Sequence, residues 1–113
     1  MIITKNEPFT EDEINKLREL FDVYIKTVID VEKGVCSAGC DRHFDSEEIL
    51  LKQGSLQSNL WGGGIDLETK TIDCNSFINI RPKDNNTSNE IQNQEIRQKF
   101  DDLMHRFFEK IYE

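Results

Sequence analysis

A chain of 113 residues, 36% hydrophobic and 32% charged, has the size of one domain with a single core, and its seven Phe and one Trp exclude a disordered composition. The net charge of -8 repels a free phosphate backbone, so no direct nucleic-acid binding is expected, and no run approaches the ~20 apolar residues of a membrane span. Residues Met1 to Lys5 lack the apolar stretch of an export signal, and three cysteines in such a chain fit reduced thiols better than a disulfide framework, so the expectation is a cytoplasmic protein.

Taken in chain order, Thr10 and Glu13 form a capping box, followed by Ile14, Leu17 and Phe21 at helical spacing. This predicts an amphipathic helix over residues 11–21. From Val23 to Val31 the period changes to two. Val23, Ile25, Thr27, Ile29 and Val31 then share one face of a strand, while Tyr24, Lys26, Val28 and Asp30 share the other. Glu32-Lys33-Gly34 is a turn, and a second strand from Val35 to Gly39 returns antiparallel.

Asp45 and Glu48 read as a second capping box, with Asp45 as N-cap of a short helix that stops at Gly54. A third strand begins at Leu60-Trp61, is weakened by Gly62-Gly63-Gly64 and resumes at Ile65. Glycines in a strand mark a bulge or a backbone that something approaches closely. A fourth strand is predicted over residues 72–80 and ends at Pro82, and a last helix over residues 94–111 carries Ile96, Phe100, Leu103, Met104, Phe107, Phe108 and Ile111. The expected fold is a single α+β domain over residues 1–113, α-β-β-α-β-β-α. Its four-stranded, mainly antiparallel sheet packs against the N- and C-terminal helices, with the last helix on the odd-numbered face of the first strand.

Three groups of residues could carry chemistry. "CSAGCDRH" brings Cys36, Cys40 and His43 close in sequence, and Cys74 could join them on Zn²⁺. The spacing is not that of a zinc knuckle, and free cysteines serve well as small buried apolar groups, so no metal is expected. His43 with Asp45, Asp30 and Glu32 could supply a general base and acid, although capping explains the acids at the helix start. Asn79 and Arg81 on the outer face of the fourth strand, with Asn86 beside them, could hold a carboxylate or phosphate. Phe77 and Trp61 are the aromatic anchors of a contact surface. No G-x-S-x-G, P-loop, dinucleotide fingerprint or H-E-x-x-H is present, so no cofactor is expected.

The stretches "IKTVIDVEKG", "HFDSEEILLKQGS", "LWGGGIDL", "FINIRP" and "NNTSNEI" together resemble a small prokaryotic family known only as a domain of unknown function. The resemblance runs over nearly the whole chain. Its pattern corresponds here to Asp30 and Glu32, His43 and Asp45, Gly54 and Ser55, Leu60 to Gly62, and Asn79 to Pro82. The three glycines after Trp61 depart from it, and the cysteines lie outside it. The resemblance implies a recurrent polar site around His43 and Arg81 without naming a reaction.

The functional expectation is a small acidic module that binds another protein, as a regulator or as an antitoxin-like, nucleic-acid-mimicking antagonist. A second copy of the chain is a further partner that the pattern allows. The alternative is a small hydrolase or anionic-ligand-binding domain in which His43, Asp45 and Arg81 share a pocket.

Overall fold

The computed structural model describes residues 1–113. Thr10 caps helix α1 (Glu11–Leu20) through the expected box: its hydroxyl accepts from the Glu13 N–H, and the Glu13 carboxylate accepts from the Thr10 N–H. Strand β1 (Ile3–Lys5) precedes it. Strands β2 (Tyr24–Asp30) and β3 (Val35–Ala38) form the hairpin, joined by a turn in which Gly34 takes φ +68°. Helix α2 (His43–Lys52) leads to β4 (Leu60–Asp66) and β5 (Thr71–Asp73), and helix α3 (Gln94–Phe107) closes the chain with a 3₁₀ turn, Glu109–Tyr112.

The sheet has five strands in the order β1-β3-β2-β4-β5, with every neighbouring pair antiparallel. This corrects the expected four. β1 is three residues long, too short for a period to show, and it is held by pairing with β3 and by a Thr4 hydroxyl that donates to Ser37 Oγ at 3.0 Å. Residues directly opposite each other across antiparallel strands share a face. Ile29 stands opposite Cys36 and Trp61, and with Ile25 and Ile65 they form the main core under Ile14 and Leu17 of α1 and Phe100, Met104 and Phe107 of α3. The last helix therefore lies on the odd-numbered face of β2, as expected. Val23 leaves that set and is exposed.

The opposite face carries Tyr24, Lys26, Val28 and Asp30 and is covered by α2. The apolar cluster there is small: Val28, Leu50 and Leu60, with Val35 and Ile78 at its margin. Polar contacts hold much of α2 in place. The Ser37 hydroxyl donates to Ser46 Oγ at 2.9 Å, and His43 Nε2 lies 2.7 Å from the Gly63 carbonyl.

Two further expectations are corrected. The helix that includes Asp45 begins at His43, with Arg42 at the N-cap position and no capping side chain. Asp45 is its third residue, and its carboxylate accepts from Arg42 Nη2 at 3.2 Å. The predicted fourth strand stops at Asp73. Asp73 Oδ1 accepts from the Asn75 N–H at 3.0 Å and Ser76 Oγ from the Ile78 N–H at 3.3 Å. These local bonds compete with a ladder, and the chain enters a 3₁₀ turn, Phe77–Asn79. No helix is long and apolar enough to cross a membrane.

Candidate functional site

Strand β5 pairs only with the second half of β4, from Gly64 to Asp66. The first half, Leu60 to Gly63, would be an unpaired edge, and side chains close it. Asn79 Oδ1 accepts from the Gly62 N–H at 2.8 Å, and Asn79 Nδ2 donates to the Gly62 carbonyl at 3.0 Å. One side-chain amide thus replaces a neighbouring strand at both backbone groups of a residue. The same Nδ2 lies 3.0 Å from the Cys74 carbonyl and 2.9 Å from that of Asn89. Arg81 continues the seal, with Nη1 donating to the Leu60 carbonyl at 2.8 Å and the guanidinium stacked 4.3 Å from the centre of the Trp61 ring. Asn86 holds the following loop: its Nδ2 donates to the carbonyls of Asn79, Ser88 and Glu90, and its Oδ1 accepts from the Gln92 N–H.

These contacts place Asn79, Arg81 and Asn86 inside the fold and not on the outer face of a fourth strand. All three are buried, and Trp61 is only 2% exposed within a central strand. Arg81 Nε stands 3.0 Å from Asp84 Oδ2 as an ion pair, although the N–H is not aligned for a hydrogen bond. Glu47 reaches the same region from α2. Burial pushes its carboxyl up from the ordinary range, opposed by a hydrogen bond from Gln57 and the field of Arg81. Arg81 Nη1 also lies 3.4 Å from the Ile78 carbonyl, so the guanidinium sits among two carboxylates, two carbonyls and an indole face, with Nη2 buried and without a partner.

The other predicted residues are dispersed. Asp30 is buried at the end of β2, where Oδ1 accepts from the N–H groups of Glu32 and Lys33 and Oδ2 from the Ser55 hydroxyl at 2.6 Å. It fixes the β2–β3 turn. Glu32 is exposed and pairs with Lys99 at 3.4 Å. Asp45 faces Arg42 at the surface. No three of the His, Cys, Asp and Glu side chains stand together as a metal set. Cys36 and Cys74 belong to the main core, on the side of the sheet opposite His43.

His43 does sit among polar groups, but not those that its sequence neighbours suggest. It lies over the glycine run of β4, and the physical reason for that run is close approach. A side chain at Gly62 would meet Ser76 Cβ at 2.6 Å and His43 Cδ2 at 3.1 Å, while one at Gly63 would meet the Asp73 carbonyl and the Phe100 ring. One at Gly64 would meet the Tyr24 hydroxyl. Tyr24 donates to Asp73 Oδ2 at 2.8 Å. Burial, with the Asp73 carboxylate beside it, pushes the Tyr24 hydroxyl far above its ordinary value, so it stays protonated. Lys26 stands opposite Gly64 on the same face. Burial lowers the His43 pKa; the Gly63 carbonyl and Asp73 oppose that shift and Lys26 adds to it.

A second feature is apolar. Phe44 and Leu51 lie seven residues apart on α2 and are exposed, as are Leu56 beyond it and Phe77 and Ile80 in the segment beside it. Phe77 is 85% exposed on a turn whose neighbours Ser76 and Asn79 are buried and bonded. Of the two sequence-predicted anchors, Phe77 is at the surface and Trp61 is not. Phe44 and Leu51 carried a weak signal at i, i+7 that capping arguments obscured. Lys26 was visible only as a charged residue within an apolar strand.

A family model described as "Protein of unknown function (DUF5674)" matches residues 1–107. No curated protein and no solved structure matches the chain.

Proposed function

We propose that this chain, which belongs to the DUF5674 family of proteins of unknown function, is a small acidic protein-interaction module. The exposed side chains of Phe44, Leu51, Leu56, Phe77 and Ile80 carry the reading. Phe44 and Leu51 come from α2, and Phe77 from the 3₁₀ turn that packs beside it. Apolar side chains grouped at a surface mark contact sites, and aromatic anchors dominate their energetics. Phe77 suits that role because Ser76 and Asn79 fix its backbone, so little ordering cost attends its burial by a partner.

The net charge of -8 favours a partner with a basic surface, by steering and by complementarity. A regulator or antagonist that occupies the basic groove of another protein is the specific form this takes. The alternative, a hydrolase built on His43, Asp45 and Arg81, receives less support because Arg81 is enclosed by its own chain.

Cross-linking and co-purification from the source cells test the module. Phe77→Asp combined with Phe44→Asp should remove a partner that the wild-type chain retains, with the melting temperature unchanged. Equal recovery by both proteins, or no reproducible partner for either, would refute the assignment.

A further inference from the structure

Strand β5 is an edge of the sheet, and its outer side has no partner. Apart from the pairing with β4, no main-chain hydrogen bond of the protein involves Thr71, Ile72 or Asp73. The Asp73 carbonyl is turned toward β4, where it lies against Gly63. Main-chain groups alternate in direction along an antiparallel strand, so the N–H and C=O of Ile72 point out of the sheet. An open edge of this kind is a template for another strand. The opening is short. The Lys70 carbonyl accepts from the Tyr112 hydroxyl at one end, and Asn75 bridges to Glu90 at the other.

A cleft of about 440 Å³ runs beside this edge. Ile72 and Cys74 line it from the strand side, and Phe100, Arg97 and Asp101 from α3. Arg97 and Asp101 are four residues apart and so share a face of the helix. Arg97 takes part in none of the chain's ion pairs, and its one polar contact is from Nη1 to the Ile91 carbonyl at 3.5 Å. Asp101 pairs only with His105, at 3.4 Å, and that contact is an ion pair only while the imidazole is protonated. A partner seated here therefore brings a carboxylate to Arg97 and a cation to Asp101, spaced by one helical turn. A second copy of the same edge supplies both.

We propose that two copies of the chain associate β5 to β5, about a two-fold axis through Ile72. A residue whose N–H and C=O both face outward forms a two-bond antiparallel pair with its own symmetry mate, so the contact is isologous and closes on itself. Two five-stranded sheets become one of ten strands. Ile72 packs toward the main core, on the α3 side of the sheet. The axis therefore sets the two α3 helices antiparallel on one face of the joined sheet. Each Arg97 meets Asp101 of the other copy, and the two Ile72 side chains cover one another. This interface goes beyond the apolar contact surface of α2 and the Phe77 turn and shares no residue with it.

Sedimentation velocity of the full chain over a range of concentrations should show a reversible dimer. Arg97→Glu sets like charges against Asp101 in both halves of the interface and should raise the dimer Kd at least about tenfold. Asp101→Arg should do the same. Arg97 is exposed, so its substitution leaves the fold intact. Arg97→Glu combined with Asp101→Arg in one chain re-forms both pairs with their signs exchanged and should restore the dimer. Amide exchange reads the backbone: the Ile72 N–H should be protected in the dimer and exchange rapidly in Arg97→Glu. Phe44→Asp with Phe77→Asp should leave the dimer in place, which separates this interface from the apolar contact surface. A monomer at every concentration, a dimer whose Ile72 amide exchanges freely, or a charge exchange that fails to restore association would each overturn the proposal.

Discussion

Asn79→Ala should be among the most damaging single substitutions of a polar residue in this protein. The amide accepts from the Gly62 N–H and its Nδ2 lies within 3.0 Å of three carbonyls, those of Gly62, Cys74 and Asn89. Two amide hydrogens serve three acceptors, so about three bonds are lost, each with a net contribution of about 1 kcal/mol. Gly62 N–H is then left buried without a partner, which costs up to about 3 kcal/mol by itself. The expected loss is about 3–6 kcal/mol from a typical total of about 5–15. Urea unfolding should show a lower midpoint at constant slope. Amide exchange gives the local readout: Gly62 should lose protection beyond the global change, while Ile25 and Ile29 follow the global change. Phe77→Ala, two residues away but 85% exposed, should cost about 0.5 kcal/mol or less. A change below about 1 kcal/mol in Asn79→Ala, with Gly62 still protected, would refute the idea that this amide replaces a strand.

Phe107→Ala removes a fully buried ring packed 5.8 Å from Phe9 and should cost about 3–5 kcal/mol, read as a lower melting temperature. His43 has its folded pKa lowered by burial, so the unfolded chain binds more protons and stability should fall as pH drops below about 6.5 towards the folded value; His43→Gln should flatten that fall. Cys36 and Cys40 are buried and their thiols pushed up, chiefly by burial; both should react slowly with a thiol reagent in the native protein and rapidly in denaturant. EDTA should leave the melting curve in place, since no three ligand-type residues stand together.

Local pattern determined much of the fold. The Thr10 and Glu13 box placed α1, alternation from Tyr24 to Asp30 placed β2 and its two faces, and the stripe of Phe100, Met104 and Phe107 placed α3 against the main core. Each is read from residues a few positions apart, where spacing dictates which side chains share a surface. The glycine run was correctly legible as a site of close approach, but not what approached it. The site residues depended on contacts that no spacing encodes. Arg81 and Asn79 look like a solvated strand face until β5 ends at Asp73 and their side chains close the edge of β4, 17 to 21 residues away in sequence. Asp30 and His43 stand 13 positions apart along the chain, yet their side chains bond to Ser55 and to Gly63. Which polar groups are consumed inside the fold is settled by the demand that buried donors and acceptors find partners, and only the tertiary structure supplies those partners.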